Sequence, residues 1–243
     1  MGKCSMLKWD DIAYLDLAGH RPVARGGMRN VYEVPEFPDM LIKTIRRDRA
    51  DASGSFPEYG RIKNMRAFGA YHVFQRECFE YLRQARLRYS EQQFSLPAAH
   101  FFGFVQTSEG LGAVVEKVAG PNGDLAPTLR ALLAEQAFKP AHEAALRDFV
   151  ETCKRSHLVF GDVSAKNIAY TELRSGRPEW VCIDGHGEKS VIPIHRWSKK
   201  LNAIRIDRKA RPWWRDIRSF HAVESNRLAP LSTVHASPVG TPE

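Results

Sequence analysis

The sequence predicts a mixed α+β fold in which a strand-rich half is followed by a reduced, helix-rich half. Apolar segments of strand length occur up to residue 118, whereas helical spacing dominates from residue 127 onward. With 243 residues, 43% of them hydrophobic, the chain can bury a core as one domain or as two tightly packed lobes. We expect an N-terminal lobe over residues 1–118, a C-terminal lobe over 119–224 and a disordered tail over 225–243.

The N-terminal half combines a hairpin-like entry, a helix and a strand pair. Residues 21–34 join glycines to a strand-like ending, and Met40–Ile45 is a short apolar strand. Residues 46–69 are basic and turn-rich, which predicts an exposed insertion. Apolar positions recur at helical spacing over residues 70–89, and residues 100–118 read as two strands around a turn.

The C-terminal half alternates helices with a loop and a strand. Helical spacing over residues 127–155 predicts two helices that meet near Pro140. Residues 157–170 read as a loop, residues 179–184 as a strand, and residues 197–223 as a basic helix.

Charge and cysteine content narrow the class of protein. The formal net charge of +8 favours anionic partners such as nucleotides, nucleic acid or an acidic protein face. The four cysteines lack the paired spacing of a zinc site or a disulfide framework. No apolar run approaches the roughly 18 residues that span a bilayer, and no signal peptide is evident. We therefore expect a cytoplasmic protein without a membrane partner.

The segment GDVSAKN has the spacing of a phosphotransfer loop. Asp162 can reach the hydroxyl that attacks a γ-phosphate, while Asn167, five residues on, can fold back to hold Mg²⁺. Asp184 leaves an apolar strand and is followed by Gly185, which places a second metal ligand at a tight turn. Each pattern taken singly also fits an ordinary polar turn.

A lysine inside an apolar strand needs an anionic partner. Lys43 interrupts the run LIKTI, and Glu77 on the following helix can supply the carboxylate, with Glu80 as the alternative. The competing interpretation places Lys43 on the solvent face of an edge strand. Upstream, Gly26 and Gly27 can let backbone amides approach phosphates.

The remaining signals concern the base of a nucleotide. Val31 follows the glycines and can pack on an adenine ring, and backbone groups near Glu116 and Val118 can meet its edge. A simple hairpin and a half-buried edge strand would look similar. The order of all these signals along the chain is the one that a protein-kinase-like site for ATP and Mg²⁺ requires.

Four blocks of sequence resemble the bacterial family of PhoP regulatory network protein YrbL, within the protein-kinase-like superfamily. They are RGGMRNVYEVPE with LIKTI, QRECFEYL, LVFGDVSAKNIAY and, most distinctively, WVCIDGHGEKSVIPIHRWSKK, and the resemblance covers residues 17–218 apart from the insertion. It implies a two-lobed protein-kinase-like fold with a reduced C-terminal lobe. By position it makes Lys43 the phosphate-binding lysine, Glu77 its ion-pair partner and Asp162 the catalytic base, with Asn167 and Asp184 as metal ligands.

The chain departs from regulated protein kinases around both acidic residues. Phe160 and Gly161 replace the His and Arg before the catalytic aspartate, and Gly185–Gly187 replaces the Phe-Gly after the metal aspartate. No A-P-E motif follows, and only 59 residues lie beyond Asp184. We therefore expect neither activation-loop switching nor a normal platform for protein substrates.

Three functions fit the sequence. The leading one is a Mg²⁺-ATP-dependent phosphotransferase whose acceptor, a small molecule or a protein, is not specified. The second is a catalytically silent nucleotide-binding regulator, a pseudokinase. The third is a nucleic-acid-binding module that uses the basic segment 197–218, in which Trp197, Trp213 and Trp214 can stack on bases. The competing interpretation of that segment is an amphipathic helix that buries its tryptophans.

Overall fold

A computed structural model of the chain describes residues 14–59, 68–91, 95–190 and 192–228. These residues form the predicted mixed α+β fold, with a six-stranded sheet, a two-stranded sheet and several helices. The predicted disordered tail beyond residue 228 and residues 60–67 of the predicted insertion lie outside the described residues.

The six-stranded sheet contains the N-terminal strands. Its order is β1-β5-β6-β4-β3-β2, and all neighbours are antiparallel except the parallel pair β1 and β5. The strands are β1 Tyr14–Leu15, β2 Ala24–Arg25, β3 Arg29–Glu33, β4 Met40–Ile45, β5 Phe101–Thr107 and β6 Gly110–Glu116.

Strand β4 lies inside this sheet, between β3 and β6. Lys43 pairs with Val31 on one side and Ala113 on the other, and only 6% of Lys43 is exposed. The interpretation of Lys43 as a solvent-facing residue of an edge strand is therefore wrong. Burying an ammonium in the middle of a sheet is costly unless polar groups surround it.

Helix α1, His72–Leu87, packs on the sheet as its apolar spacing predicts. Val73 and Phe74 are buried against Ile45 and Ala113 in one apolar cluster. Glu77, one turn after Val73 and Phe74, points to the same inner side of the helix, and only 4% of it is exposed. The sequence periodicity that buries the apolar face thus also buries a carboxylate.

The second half has its own, larger core. Helices α2 Leu129–Ala134 and α3 Pro140–Arg155 are separated at the predicted position, with the proline in the first turn of α3, where a missing N–H costs nothing. The expected loop over 157–170 is wrong in its last part, because Ile168–Thr171 forms strand β7 and pairs with β8, Glu179–Cys182. The segment IAYT is short, and its four residues are buried.

The chain then forms the short helix α4, Ile194–Trp197, and the long helix α5, Lys199–Leu228. Residues 225–228, the first four of the expected tail, belong to helix α5. Its inward residues are Ile206, Ala210, Trp213 and Ile217, whose spacing is that of one helical face, and they join the core of the second half.

Two further findings bear on the class of protein. Cys78, Cys153 and Cys182 are free thiols, in line with the absence of paired cysteine spacing. Within the described ranges, no helix combines the length and the apolar character that crossing a membrane requires.

Candidate functional site

A buried arginine lies at the centre of the predicted site. Arg29, the first residue of β3, donates to both carboxylate oxygens of Glu77, at 3.0 and 2.9 Å. The same guanidinium forms an ion pair with Asp184, whose side chain is 36% exposed. Strand β3, helix α1 and the loop after β8 therefore meet at one guanidinium group. This arrangement suits Arg better than Lys, because the planar guanidinium can bind two carboxylates with separate N–H groups.

The predicted ion pair between Lys43 and Glu77 is not formed, since Glu77 pairs with Arg29 instead. The Lys43 Nζ donates to the carbonyl oxygen of Ile183 at 2.7 Å, directly before Asp184. Burial disfavours the Glu77 carboxylate, but the charges of Arg29 and Lys43 hold its pKa well below the ordinary value. Lys43 thus binds the residue before the predicted metal ligand and lies within the electrostatic reach of Glu77.

The alternative carboxylate, Glu80, has a structural role. It is fully buried and accepts hydrogen bonds from Arg83, Gln84 and the backbone N–H of Val159, the last at 3.1 Å. Val159 lies three residues before Asp162. Helix α1 is therefore bonded through Glu80 to the segment that leads into the loop of Asp162. Glu80 is not the partner of Lys43.

The loop of Asp162 and the loop of Asp184 are joined through their backbones. The N–H groups of Gly161 and Asp162 both donate to the Gly185 carbonyl, at 3.1 and 2.6 Å. The Asn167 side chain donates to the Asp162 carbonyl at 3.2 Å, and the Ile183 N–H donates to the Asn167 carbonyl at 2.9 Å. The structure thus joins the loops of Asp162, Asn167 and Asp184, and the roles of these residues stay a prediction.

The glycines among the departures from the kinase pattern lie at this close approach. A Cβ atom on Gly161 would lie 2.4 Å from the Gly187 carbonyl oxygen, and one on Gly187 would lie 2.5 Å from the Arg76 carbonyl oxygen. Gly185 has φ of +82°, and its Cβ would lie 2.7 Å from the Asp162 carbonyl oxygen. These three positions exclude side chains, so Gly161 stands where a kinase arginine cannot fit.

Asp162 itself faces solvent between two lysines. Its side chain is 63% exposed, and its carboxylate lies 3.3 Å from Lys189 Nζ and 3.9 Å from Lys209 Nζ. Partial burial opposes ionisation, but the two ammonium groups lower the pKa of Asp162 below its ordinary value. At neutral pH Asp162 is a carboxylate that can accept a hydrogen bond from a hydroxyl group.

Helix α5 holds the backbone just before Asp162, which the sequence did not predict. Arg205 Nε donates to the Phe160 carbonyl at 2.7 Å and its Nη2 to the Gly161 carbonyl at 3.3 Å. The side chain of the fully buried Asn202 donates to the Leu158 carbonyl at 3.0 Å. Asn202 and Arg205 adjoin Ile206 on the buried helical face, and this spacing is the signal that could have identified them.

The predicted glycine turn lies at the tip of the β2–β3 hairpin. The Gly26 N–H donates to the Arg29 carbonyl at 2.8 Å, and Arg46 donates to the Gly26 carbonyl at 2.9 Å. A Cβ on Gly27 would meet no atom within 4 Å, so the turn is open on that side. Val31 lies next to Lys43 in register, which keeps the predicted adenine contact beside the predicted phosphate ligand.

The N–H and the carboxylate of Glu116, at the end of β6, are bonded to other residues of the chain. Its N–H donates to the His100 carbonyl at 2.9 Å, and its carboxylate pairs with Arg174 at 2.7 Å. Val118 is buried, and its carbonyl accepts from Ala126 at 2.9 Å. Within the described part of the chain, its N–H has no hydrogen-bond partner. Of the backbone N–H groups of Glu116 and Val118, that of Val118 can still meet an adenine edge.

The predicted metal ligands suit Mg²⁺ by their chemistry. The Asn167 amide uses its Nδ2 on the Asp162 carbonyl, which leaves Oδ1 as an oxygen donor. One carboxylate and one amide oxygen match the sparse protein coordination of Mg²⁺ beside substrate phosphates. Among the residues that the structure describes, no group of three or more His, Cys, Asp and Glu side chains could hold a metal alone.

The basic segment 197–218 divides its tryptophans between core and surface. Trp213 is 2% exposed, and Trp214 packs its ring 5.1 Å from the guanidinium of Arg147. Only Trp197, at 72% exposed, has the accessibility that base stacking needs. The amphipathic-helix interpretation therefore accounts for Trp213 and for the inward face of α5.

Comparison with known proteins gives one match that covers most of the chain. The sequence model of the family described as PhoP regulatory network protein YrbL matches residues 15–218. A search of curated proteins found no match. The family match spans the glycine turn, Lys43, both acidic loops and most of helix α5, and on this extent the chain belongs to the family of PhoP regulatory network protein YrbL.

Proposed function

We propose that this protein is a Mg²⁺-ATP-dependent phosphotransferase with a two-lobed, protein-kinase-like fold and a reduced C-terminal lobe. The observation that carries the proposal is the Gly185 carbonyl, which accepts hydrogen bonds from Gly161 and Asp162 and so joins the loops of Asp162 and Asp184. Lys43 is bonded to the carbonyl of Ile183, directly before Asp184, and so lies beside these two loops. A proton-accepting carboxylate, a metal-binding carboxylate and a phosphate-binding ammonium from three distant segments share one site.

The two lobes correspond to the two sets of apolar clusters. One set packs around the six-stranded sheet, and the other contains α3, β7, β8 and α5. The segment from Glu116 to Val118 connects them, and the Glu116–Arg174 ion pair ties the end of the sheet to the second half. Adenine would lie against Val31 and the free N–H of Val118, with the phosphates beneath Gly26 and Gly27.

The roles of the site residues follow from their chemistry. Bound Mg²⁺ would be held by Asn167 and Asp184, and it supplies charge neutralisation of the phosphates. Lys43 adds a positive charge toward the phosphates. Asp162 orients the acceptor hydroxyl and takes its proton, a role that suits an exposed carboxylate ionised at neutral pH. Arg29 and Glu77 position Asp184.

One observation favours the catalytically silent regulator as the second candidate. Each candidate catalytic carboxylate is already paired with a cation of the chain, Asp184 with Arg29 and Asp162 with Lys189. A protein that binds a nucleotide without transferring its phosphate could keep both pairs. The nucleic-acid-binding module receives less support, because α5 directs Trp213 into the core.

Thermal unfolding with and without Mg²⁺-ATP tests the nucleotide site. A ligand at a hundredfold excess over its Kd stabilises the folded state by about 2.7 kcal/mol, which raises Tm by roughly 5–11 °C for a chain of this size. Asp184→Asn should abolish the part of the shift that depends on Mg²⁺. Asp48→Asn is the matched control, since Asp48 also pairs with arginine but lies on the surface. An unmoved wild-type Tm at saturating Mg²⁺-ATP would refute the proposal.

A further inference from the structure

A cavity of about 950 Å³ opens beside Asp162, on the side of the catalytic loop that faces helix α5. Its walls are the loop from Asp162 to Lys166, helix α2 with Leu133, and the stretch of α5 from Lys209 to Glu224. The volume lies within the range of small-molecule sites, which is roughly 300–1,000 Å³.

The cavity is separate from the predicted nucleotide site. None of the described residues assigned to the nucleotide or the metal lines it, so Lys43, Asn167 and Asp184 face elsewhere. Asp162 alone belongs to both regions, because its carboxylate reaches the cavity while its backbone is bonded to Gly185. A molecule in the cavity could therefore meet the candidate base without displacing ATP.

The walls of the cavity are amphipathic. Leu133, Phe220 and Val223 supply apolar surface, and Val223 is 54% exposed. Next to Asp162, the Ser164 hydroxyl is buried and has no hydrogen-bond partner among the described residues. Lys209, which belongs to the α5 wall, lies 3.9 Å from the Asp162 carboxylate. Asp162, Ser164 and Lys209 thus form one polar group of the lining, while α5 adds the apolar Phe220 and Val223 together with the polar Asp216, Ser219 and Glu224.

We propose that this cavity holds the phosphate acceptor and that the acceptor is a small amphipathic alcohol rather than a protein side chain. The inference rests on the proposed phosphotransferase function. The apolar body of the alcohol would pack on Phe220 and Val223, and its hydroxyl would lie between Asp162 and Ser164. At that position the acceptor hydroxyl would give the buried Ser164 hydroxyl a hydrogen-bond partner, and a buried hydroxyl without one is costly.

The reaction balances with the groups that are named. The acceptor oxygen forms a bond to the γ-phosphorus, and the bond from that phosphorus to the bridging oxygen breaks, with its electron pair leaving on ADP. The hydroxyl proton passes to the Asp162 carboxylate. Lys209 and Lys189 lie close enough to Asp162 to offset the charge of the transferred phosphoryl group.

The test compares two alcohols as acceptors, 2-phenylethanol and methanol, with labelled ATP and Mg²⁺. The measured quantity is the ratio of alkyl phosphate to inorganic phosphate at equal alcohol concentration. The wild-type ratio should be at least about tenfold higher for 2-phenylethanol, since apolar contacts discriminate on that scale. The double variant Ser219→Trp/Val223→Trp should lose this preference, because two indoles on one helical face fill part of the cavity.

Arg218→Trp/Ala222→Trp is the matched control, because it places two indoles at the same spacing on α5 away from the cavity lining. This control should keep the preference, and all three proteins should show the same rise of Tm with Mg²⁺-ATP. Equal ratios for the two alcohols, or equal losses in the two double variants, would overturn the cavity assignment. Mg²⁺-ATP binding without any alkyl phosphate would also overturn it. Absence of Mg²⁺-ATP binding would instead overturn the proposed function and, with it, this inference.

Discussion

Replacing Arg29 by Met tests whether the buried guanidinium organises the site. The side chains of Arg29 and Glu77 are 9% and 6% exposed, and the pair is bidentate. Removing one partner of such a buried pair costs about 3–5 kcal/mol, because the other charge stays buried without its partner. Met can still pack on Phe74, whose ring lies 5.8 Å from the guanidinium carbon, so the loss reports mainly the charge.

Urea unfolding at neutral pH measures this loss directly. The expected 3–5 kcal/mol corresponds to a fall in Tm of about 6–20 °C for a chain of this size. Arg25→Met is the matched control, since Arg25 pairs with Asp48 on the surface with 57% and 52% of the side chains exposed. It should change the free energy of unfolding by less than about 1 kcal/mol.

A double variant separates the cost of a buried carboxylate without a partner from the cost of lost packing. In Arg29→Met/Glu77→Leu, no carboxylate at residue 77 is left without a partner, so part of the lost stability should return. If Arg29→Met unfolds like Arg25→Met, or if the double variant loses as much stability as its two single variants together, the buried guanidinium does not organise the site.

Two further predictions concern Glu77 and Arg205, the residue of helix α5 that donates to the carbonyls of Phe160 and Gly161. The pKa of Glu77 is lowered on folding from an ordinary value of 4.5, so its stabilisation is present above about pH 4.5 and is lost as pH falls toward the folded pKa. Glu77→Gln should therefore flatten the acid side of the stability–pH curve in urea titrations, and an unchanged slope would exclude Glu77 as its source. Arg205→Met should lower ATP turnover at least about tenfold while the Mg²⁺-ATP shift in Tm stays, since displaced catalytic groups cost rate on that scale. The exposed Arg208→Met is the control, and equal turnover in both variants would contradict the positioning role.

Several parts of the fold and the site could be predicted because their signals are local. The strand around Lys43, the helix that carries Glu77 and the spacing from Asp162 to Asn167 depend on residues close in sequence. Their periodicity and turn chemistry are visible in a single chain. The same reasoning missed strand β7, whose four residues are all buried and show no alternation.

The partner of Glu77 could not be predicted in the same way. Arg29 follows a glycine turn and looks like a surface residue, yet its contacts lie 48 and 155 residues away. Helix α5 poses a related difficulty, because its many cations look alike in sequence, and among those that the structure describes Arg205 is the one that donates to the carbonyls of Phe160 and Gly161. Burial of a charge is decided by tertiary contacts, which one sequence reveals only where a helical face is already marked by apolar residues.

We propose that Asp162 accepts the proton of an acceptor while Asn167 and Asp184 hold the metal. The most direct measurement is the rate of ADP formation at saturating Mg²⁺-ATP by wild type and Asp162→Asn, with water or 2-phenylethanol as acceptor. The variant should keep the wild-type rise of Tm with Mg²⁺-ATP and lose at least about a hundredfold in rate, the scale of a positioned acid or base. Equal rates in the two proteins, or a wild type that binds Mg²⁺-ATP and forms no ADP, would contradict it.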